Sequence, residues 1–494
     1  AGAEALVTAG VEVGDRVAIW APNSLAWIVG MLALSSAGGV LVPLNTRFKG
    51  AEAADILRRS RARVLLTVRS FLGRDYTAML AGADLPELRL TVTIDDGGWE
   101  GLTHTRAAVG VVAERLRTLG ADSPLDLMFT SGTTGRPKGV ASSHGATVRA
   151  YRHYAATLGI RPGDRYLLVN PLFHSFGSKA GLVAALAARA TLYPVATFDP
   201  AGAAELIARE AITVLPGPPT IYQSLLDLPA DVRATLTSLR LAVTGAAAVP
   251  VELLARMRAE LGFETVLTAY GLTEAGGLVT MCDPGDPPEV VSRTSGRAVP
   301  GVEVRITGPG GVAVATGEPG EVEVRGYPVM DGYLDDPVAT ADAVTADGWL
   351  RTGDIGVLDG DGGLRITDRK KDLFIVGGFN AYPAEIENTL LGHPGVSRVA
   401  VVGVPDARLG EVGEAFIVPR PGTAIDADEV IAWARERMAN FKVPRRVHAV
   451  DQLPLNASGK VLKHVLQARL AETVNAGETV NAGGTLDAGG GVSA

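Results

Sequence analysis

The chain has 494 residues, of which 47% are apolar, with 46 Lys and Arg set against 54 Asp and Glu. That length suggests roughly two to four domains, and the apolar content excludes global disorder. The net charge of −8 argues against a general nucleic-acid binder, which needs a basic excess. One cysteine, Cys282, excludes an internal disulfide or a cysteine-based zinc site and fits a reducing, cytoplasmic setting. The opening AGAEALVTAG has neither a Met nor a signal-peptide pattern. It reads as starting inside a helix, with an N-terminal piece missing.

Short β-rich runs alternate with helical patterns through the first half. Arg16–Trp20 reads as a strand, Leu25–Ser36 as a helix, 40–44 as a strand, 51–60 as a helix and 63–67 as a strand. The apolar stretch over 26–44 approaches membrane-span length. Ser35, Ser36, Gly38, Gly39 and Pro43 interrupt it, so it reads as a buried helix followed by a buried strand, with no stable membrane insertion. Further strands are expected at 166–169, Thr191–Pro194, 213–215, 241–243 and 265–268. Apolar strands spaced by helices predict parallel sheets covered on both faces.

The texture changes near 295. Strands at Val302–Thr307, 320–324 and 363–367 lie between Gly-rich turns and read as a small antiparallel β subdomain. The charged run at 368–372 reads as a linker. A compact α+β unit follows, with strands at Phe374–Val376 and 399–402, a helix starting at Pro383 and a helix over 427–438. The expected domains are 1–367, a hinge at 368–372, and 373–468. The tail 469–494 is expected to be disordered, because it repeats ETVNAG and turns Gly-rich.

Four motifs carry chemistry. TSGTTGRPKG at 130–139 follows an apolar run. Its backbone N–H groups and hydroxyls can cradle a phosphate chain, with Lys138 adding positive charge. It is not a Walker A loop, because Gly139 and Val140, not a hydroxyl residue, follow Lys138. YGLTE at 270–274 follows a strand end, where ligands of open α/β sheets bind. Tyr270 can stack on a base, Thr273 can bond a phosphate and Glu274 can hold Mg2+; a plain strand-to-helix turn is the alternative. RTGD at 351–354, with Arg369 following in DRKKD, offers a carboxylate either for two ribose hydroxyls or for capping a turn. NASGK at 456–460 places Lys460 after a Gly turn, either reaching into a cleft or solvated at the surface.

In this order and spacing the four resemble the signature of the acyl-adenylate-forming superfamily: acyl-CoA synthetases, nonribosomal-peptide adenylation domains and luciferases. The resemblance covers residues 1 to about 468. It implies an α/β N-terminal domain of parallel sheets, helices and a small β subdomain, and a smaller, mobile α+β C-terminal domain. It implies ATP, Mg2+ and coenzyme A, acyl-CoA formation through an acyl-adenylate, and release of pyrophosphate and AMP.

Residue by residue, the resemblance assigns Thr130, Ser131, Gly132, Thr133, Thr134, Gly135 and Lys138 to the phosphates. Gly245, Ala246 and Ala247 flank adenine and acyl group. Tyr270 stacks on adenine beside Gly271 and Leu272, Thr273 contacts the α-phosphate, and Glu274 with Thr134 ligates Mg2+. Asp354, assisted by Arg369, holds the ribose; Lys371 is the hinge and Lys460 the catalytic lysine; Gly377 and Gly378 line the thiol tunnel. Phe173, His174, Ser178, Gly217, Gly245 and Gly271 surround the acyl pocket.

The segments around His174 and 212–227 resemble actinobacterial ligases of a steroid-ring propanoate, methylhexahydroindanedione propanoate. Medium- or long-chain fatty acids, and a non-catalytic ATP- or acyl-binding homologue, are the alternatives. Lys179 either bonds a ring ketone or snorkels on a helix face. The GGGVS at 489–493 lacks a folded carrier domain around it, so free CoA is the expected acceptor. A homo-oligomer is left open.

Overall fold

The structure, a computed structural model, describes residues 1–475 apart from 96, 105–109, 131–136, 246–248, 370–371, 377–378, 407, 439 and 457–459. The side chains of 100, 102–103, 368–369, 379–380 and 471–475 are not described. Ser131, Gly132, Thr133, Thr134, Gly135, Ala246, Ala247, Lys371, Gly377, Gly378 and the Gly-rich tail from 476 therefore lie outside the described residues.

The first sheet grows from runs buried on both faces. Strand β1 (Arg16–Trp20) leads to helix α1 (Leu25–Ser36), which Ser24 caps by accepting from the Trp27 amide at 3.1 Å. Gly38, at φ +86°, turns the chain into β2 (Val40–Pro43), whose residues are all buried. The apolar stretch is thus a buried helix and a buried strand. Among the described residues no helix is long and apolar enough to cross a membrane. Helix α2 (Gly50–Ser60) precedes β3 (Val64–Thr67), and β4 (Leu90–Thr93) follows. Each fully buried Val, Leu or Ile here is worth about 1.5–3 kcal/mol over an exposed one.

Strand β5 (Pro124–Thr130) and β6 (Lys138–Ser143) complete this sheet, ordered β4-β3-β1-β2-β5-β6. All neighbours are parallel except the β5–β6 pair, which is antiparallel with Thr130 opposite Lys138. The hydroxyl- and Gly-rich motif therefore begins at the end of β5 and finishes in β6, two strands that pair antiparallel.

Helix α3 (His144–Leu158) crosses to β7 (Arg165–Leu168), which pairs in parallel with β8 (Thr191–Pro194). The expected strand at 213–215 reduces to one bridging residue, Val214, between Tyr166 and Leu241. Pro216, Pro218 and Pro219 cannot donate to a ladder, so the strand stops there. Strands β9 (Leu241–Thr244) and β10 (Thr265–Tyr270) continue in parallel, and β11 (Thr280–Met281) and β12 (Arg297–Ala298) add antiparallel edges.

Strands β13 (Val302–Thr307), β14 (Gly320–Gly326), β15 (Leu350–Leu358) and β16 (Leu364–Arg369) form a sheet in chain order. The charged run expected as a linker begins within β16, whose last two residues are Asp368 and Arg369.

The remaining elements are β17 (Phe374–Val376), β18 (Phe379–Ala381), α4 (Pro383–Leu391), β19 (Val396–Asp406), β20 (Gly410–Pro419), α5 (Ala427–Arg435), β21 (Arg446–Ala449) and α6 (Lys463–Asn475). The β19–β20 ladder is buried on both faces. Val399, Val401, Ala415 and Ile417 join one cluster, while Ala400, Val402 and Phe416 join Leu453 and Leu466 in another, the period of two that a strand imposes. Helix α6 continues to Asn475, past the point at 469 where a disordered tail is expected; Leu466 and Leu470 supply its apolar anchors.

The chain divides into two compact units. One comprises Ala1–Gly245, Val251–Val304 and Glu323–Thr352; the other comprises Ala246–Pro250, Arg305–Val322 and Gly353–Ala494.

Candidate active site

In the first unit, the β5–β6 hairpin and the turn after β10 bring three predicted residues together. The Thr130 hydroxyl donates to Glu274 Oε1 at 3.2 Å. The phenol of Tyr333 donates to the same oxygen at 3.2 Å. Lys138 Nζ lies 4.7 Å from the centroid of the Tyr333 ring, a cation–π contact. A hydroxyl, a cation, a carboxylate and a phenol thus share one locus, although Thr130 and Glu274 are 144 residues apart.

Tyr333 was not among the predicted residues. Its segment reads as a Gly- and Asp-rich connection, and the only sequence signal is an aromatic directly after Gly332. The backbone fixes it from two sides. Tyr333 bridges Val140 of β6, with the Leu334 amide donating to the Gly139 carbonyl at 2.8 Å. The Met330 amide donates to the Glu274 carbonyl at 2.9 Å. Burial, followed by the nearby Glu274 carboxylate, pushes the Tyr333 phenol well above its ordinary pKa, so it stays a proton donor. On the other side, Arg59 of α2 donates to the Pro137 carbonyl at 2.6 Å and lies over the Phe129 ring, holding the residue that precedes Lys138.

The YGLTE turn sits at the carboxyl ends of parallel strands, where ligands of such sheets bind. Tyr270 ends β10, half-buried, and its carbonyl accepts from the Val279 amide at 2.8 Å. A Cβ on Gly271 would stand 2.3 Å from the Gly277 carbonyl oxygen, and one on Gly245 would stand 2.8 Å from that of Ala269. Both glycines are close-approach positions that keep the strand ends together. Leu272 precedes a short 3-10 turn, Thr273–Ala275, that carries Thr273 and Glu274. Gly217 joins the same end of the sheet by donating to the Val243 carbonyl at 3.0 Å.

The segment after β7 carries Phe173, His174 and Ser178. Two buried amides that sequence reasoning missed hold it. Asn23 donates to the carbonyls of Leu168 and Asn170 and accepts from the Leu172 amide, and Asn170 donates to the Pro216 carbonyl. His174 Nδ1 accepts from the Phe176 amide at 3.2 Å, and Ser178 donates to the His174 carbonyl at 3.0 Å. The imidazole keeps accessible surface while protein atoms crowd around it. Desolvation, with the Lys179 charge second, holds its pKa down to about 4.

The imidazole is therefore neutral at physiological pH. Histidine side-chain NMR on the full chain, with His174→Gln to assign the signal, is expected to give a midpoint near 4. A midpoint at the ordinary value of roughly 6.5 would contradict the assignment. Because the unfolded chain takes this proton more readily, His174 lowers stability as pH falls from 6.5 towards 4.

Lys179 corrects both expectations for it. It lies in a π-helix, Phe176–Val183, with no accessible surface, so it neither snorkels to solvent nor stands open to a ring ketone. Its Nζ is 3.2 Å from the buried Asp126 carboxylate of β5 and donates to Ser142 of β6 at 2.7 Å. The opposite charge inside the sheet edge draws the ammonium inward.

In the second unit, Asp354 is 4% exposed and lies opposite Arg369 in the β15–β16 ladder. Asp354 does not cap a turn, one of the two readings of the RTGD motif. The motif runs through β15, with Gly353 at φ +71° and an irregular register between Ile355 and Gly356 bending the strand. Lys460 is exposed on a stapled loop. Leu455 bridges Val461, the Asn456 amide donates to the Lys460 carbonyl at 2.8 Å, and the Lys460 amide donates to Asn456 Oδ1 at 2.8 Å.

The donor set near Glu274 suits a hard cation. It combines one carboxylate with hydroxyl oxygens, and among the described residues no group of three or more His, Cys, Asp or Glu gathers as a metal cage. One or two carboxylates are the usual protein share for Mg2+ bound together with substrate phosphates.

Comparison with known proteins agrees with this arrangement. The family described as AMP-binding enzyme matches residues 1–334, and the AMP-binding enzyme C-terminal domain matches residues 385–460. A Mycobacterium tuberculosis propanoyl:CoA ligase, whose acyl group carries a 7a-methyl-1,5-dioxo-octahydro-1H-inden-4-yl substituent, is 53% identical over 94% of this chain and 91% of its own. The ligase of the same name from Rhodococcus jostii is 48% identical over the same shares. The crystal structure of ATP-bound MatB from Rhodopseudomonas palustris superposes with a TM-score of 0.86 at 33% identity, covering 95% of this chain and 91% of that one. With both family domains in order and Thr130 of the β5–β6 hairpin bonded to the YGLTE carboxylate, the chain belongs to the AMP-binding enzyme family.

Proposed function

We propose that the protein is an AMP-forming acid:CoA ligase that activates a steroid-derived ring propanoate. The observation that carries the chemistry is the convergence of Thr130, Lys138 and Glu274 at the strand ends. The acid is suggested by the extent of identity to the two propanoyl:CoA ligases.

The substrate carboxylate attacks the α-phosphorus of ATP in line, and pyrophosphate leaves. Two anions must approach each other, so positive charge has to stand ready where negative charge builds up. Lys138 supplies part of it, with Ser131, Thr133 and Thr134 contributing donors by resemblance. Glu274, with Thr134 by resemblance, would hold Mg2+, which lends positive charge to the phosphate oxygens when bound. Tyr270 stacks on adenine, Thr273 contacts the α-phosphate, Asp354 with Arg369 holds the ribose, and Lys460 supports the adenylation step. In the second step the CoA thiol attacks the acyl carbon and AMP departs. By resemblance, Gly377 and Gly378 serve the thiol path and Lys371 is the hinge of a rotation that separates the two steps. The requirement for ATP and CoA argues for a cytoplasmic reaction.

The acyl pocket is formed by Phe173, His174, Ser178, Gly217, Gly245 and Gly271. A neutral imidazole there can donate one hydrogen bond to a ring ketone without importing charge into the pocket. In a pyrophosphate-release assay over a panel of acids, the methyl-dioxo-octahydroindenyl propanoate is expected to exceed long straight-chain acids by at least about 100-fold in kcat/KM. A preference for straight-chain acids would defeat the steroid assignment and leave a fatty-acyl ligase.

A further inference from the structure

We infer that Tyr333 is a positioning residue for adenylation, orienting the Glu274 carboxylate through its hydroxyl and seating the Lys138 ammonium on its ring. The inference rests on the ligase reading above and names a residue outside the motif set that led to it.

Three observations carry it. The phenol donates to Glu274 Oε1 at 3.2 Å, the oxygen that also accepts from Thr130. The same ring lies 4.7 Å from Lys138 Nζ. The residue is pinned to both partners' own elements: to β6, which carries Lys138, through the Val140 bridge and the Leu334–Gly139 hydrogen bond, and to the Glu274 backbone through Met330. The Tyr333 amide also donates to Thr340 Oγ1 at 2.9 Å, which fixes the turn after Gly332. One side chain therefore couples the spacing of a would-be cation ligand to that of a phosphate-facing lysine. A carboxylate restrained by a second donor loses less freedom on taking up a cation, and loss of such outer partners typically weakens metal binding about 10–100-fold.

The two halves of the ring separate by substitution. Tyr333→Phe removes the hydroxyl and keeps the face; Tyr333→Leu removes both. Calorimetric titration of the full chain with ATP, with and without Mg2+, reads binding directly. The Mg2+ dependence of pyrophosphate release reads the same site in turnover. Tyr333→Phe is expected to raise the half-saturating Mg2+ concentration about tenfold while Mg2+-free ATP binding stays as in the wild type. Tyr333→Leu is expected to weaken Mg2+-free ATP binding as well, about three- to fivefold, through loss of the cation–π seat. Thermal melting of each variant controls for folding.

A Tyr333→Phe protein with the wild-type Mg2+ midpoint would overturn the inference. So would an equal loss with and without Mg2+ that tracks a lowered Tm, since that marks a purely structural residue. Failure of the ligase reading looks different: the wild type itself would then neither bind ATP nor release pyrophosphate with any acid.

Discussion

Lys460→Ala is expected to lower acid-dependent pyrophosphate release by at least about 10²–10³-fold, the usual cost of removing a group that meets charge developing in a transition state. Thioester formation from supplied acyl-adenylate and CoA is expected to persist, because expulsion of AMP by a thiol needs no help in bringing two anions together. The local structure makes the experiment clean. Lys460 is exposed, and its backbone is held by the Leu455–Val461 bridge, the Asn456–Lys460 backbone hydrogen bond and the Asn456 side chain. An exposed substitution of this kind usually shifts stability within about 0.5 kcal/mol, so Tm should hardly move. Pyrophosphate release at the wild-type rate would remove Lys460 from the adenylation step, and loss of both half-reactions would make it a general binding residue.

Lys179→Met is expected to destabilise the protein by about 3–5 kcal/mol, because it strands the buried Asp126 carboxylate without its counter-charge. Domain stabilities are of order 5–15 kcal/mol, so the variant should melt far earlier or accumulate poorly. Asp126→Asn should also destabilise, through the unpaired ammonium. The double variant should recover much of the loss, with a coupling of about 1–3 kcal/mol. Urea denaturation followed by the fluorescence of the buried Trp20 and Trp27 measures all three. Single variants costing under 1 kcal/mol, or strictly additive losses, would contradict the ion pair. The pair also matters to the site: Asp126 and Ser142 lie on the hairpin that carries Thr130 and Lys138, while Lys179 lies just after His174. The same variants are therefore expected to raise KM for both ATP and acid at temperatures where they remain folded.

Strands buried on both faces were the most legible elements, because an unbroken apolar run has few other places to go. Arg16–Trp20, buried at all but its first residue, falls where the pattern puts it, and Leu241–Thr244, buried throughout, extends the expected run by one residue. Residues 213–215 carry the same apolar texture, but the prolines that follow remove the donors a longer ladder needs, leaving Val214 as a bridge. RTGD reads as a turn because of its Gly, yet all four residues lie within β15, with Asp354 paired to Arg369 of β16.

Within the site, the motif residues were legible because their chemistry is local: a hydroxyl-rich loop, and an aromatic and a carboxylate after a strand. Tyr333, Asn23 and Asn170 were not, since each acts on partners far away in the chain and none lies in a periodic pattern. Lys179 was misjudged because an isolated lysine on a helix is normally solvated. The readable clue was Asp126, a lone charge in the otherwise apolar run LDLMF, which requires a cation from elsewhere in the fold.

The central claim is that this chain uses ATP to convert an organic acid into an acyl-adenylate. Incubating the full chain with ATP, Mg2+ and the methyl-dioxo-octahydroindenyl propanoate in the absence of CoA tests it most directly. Pyrophosphate and acyl-AMP are expected in equal amounts, roughly one of each per protein, with acyl-CoA and AMP appearing only when CoA is added. Formation of ADP and phosphate, or nucleotide turnover independent of the acid, would contradict it.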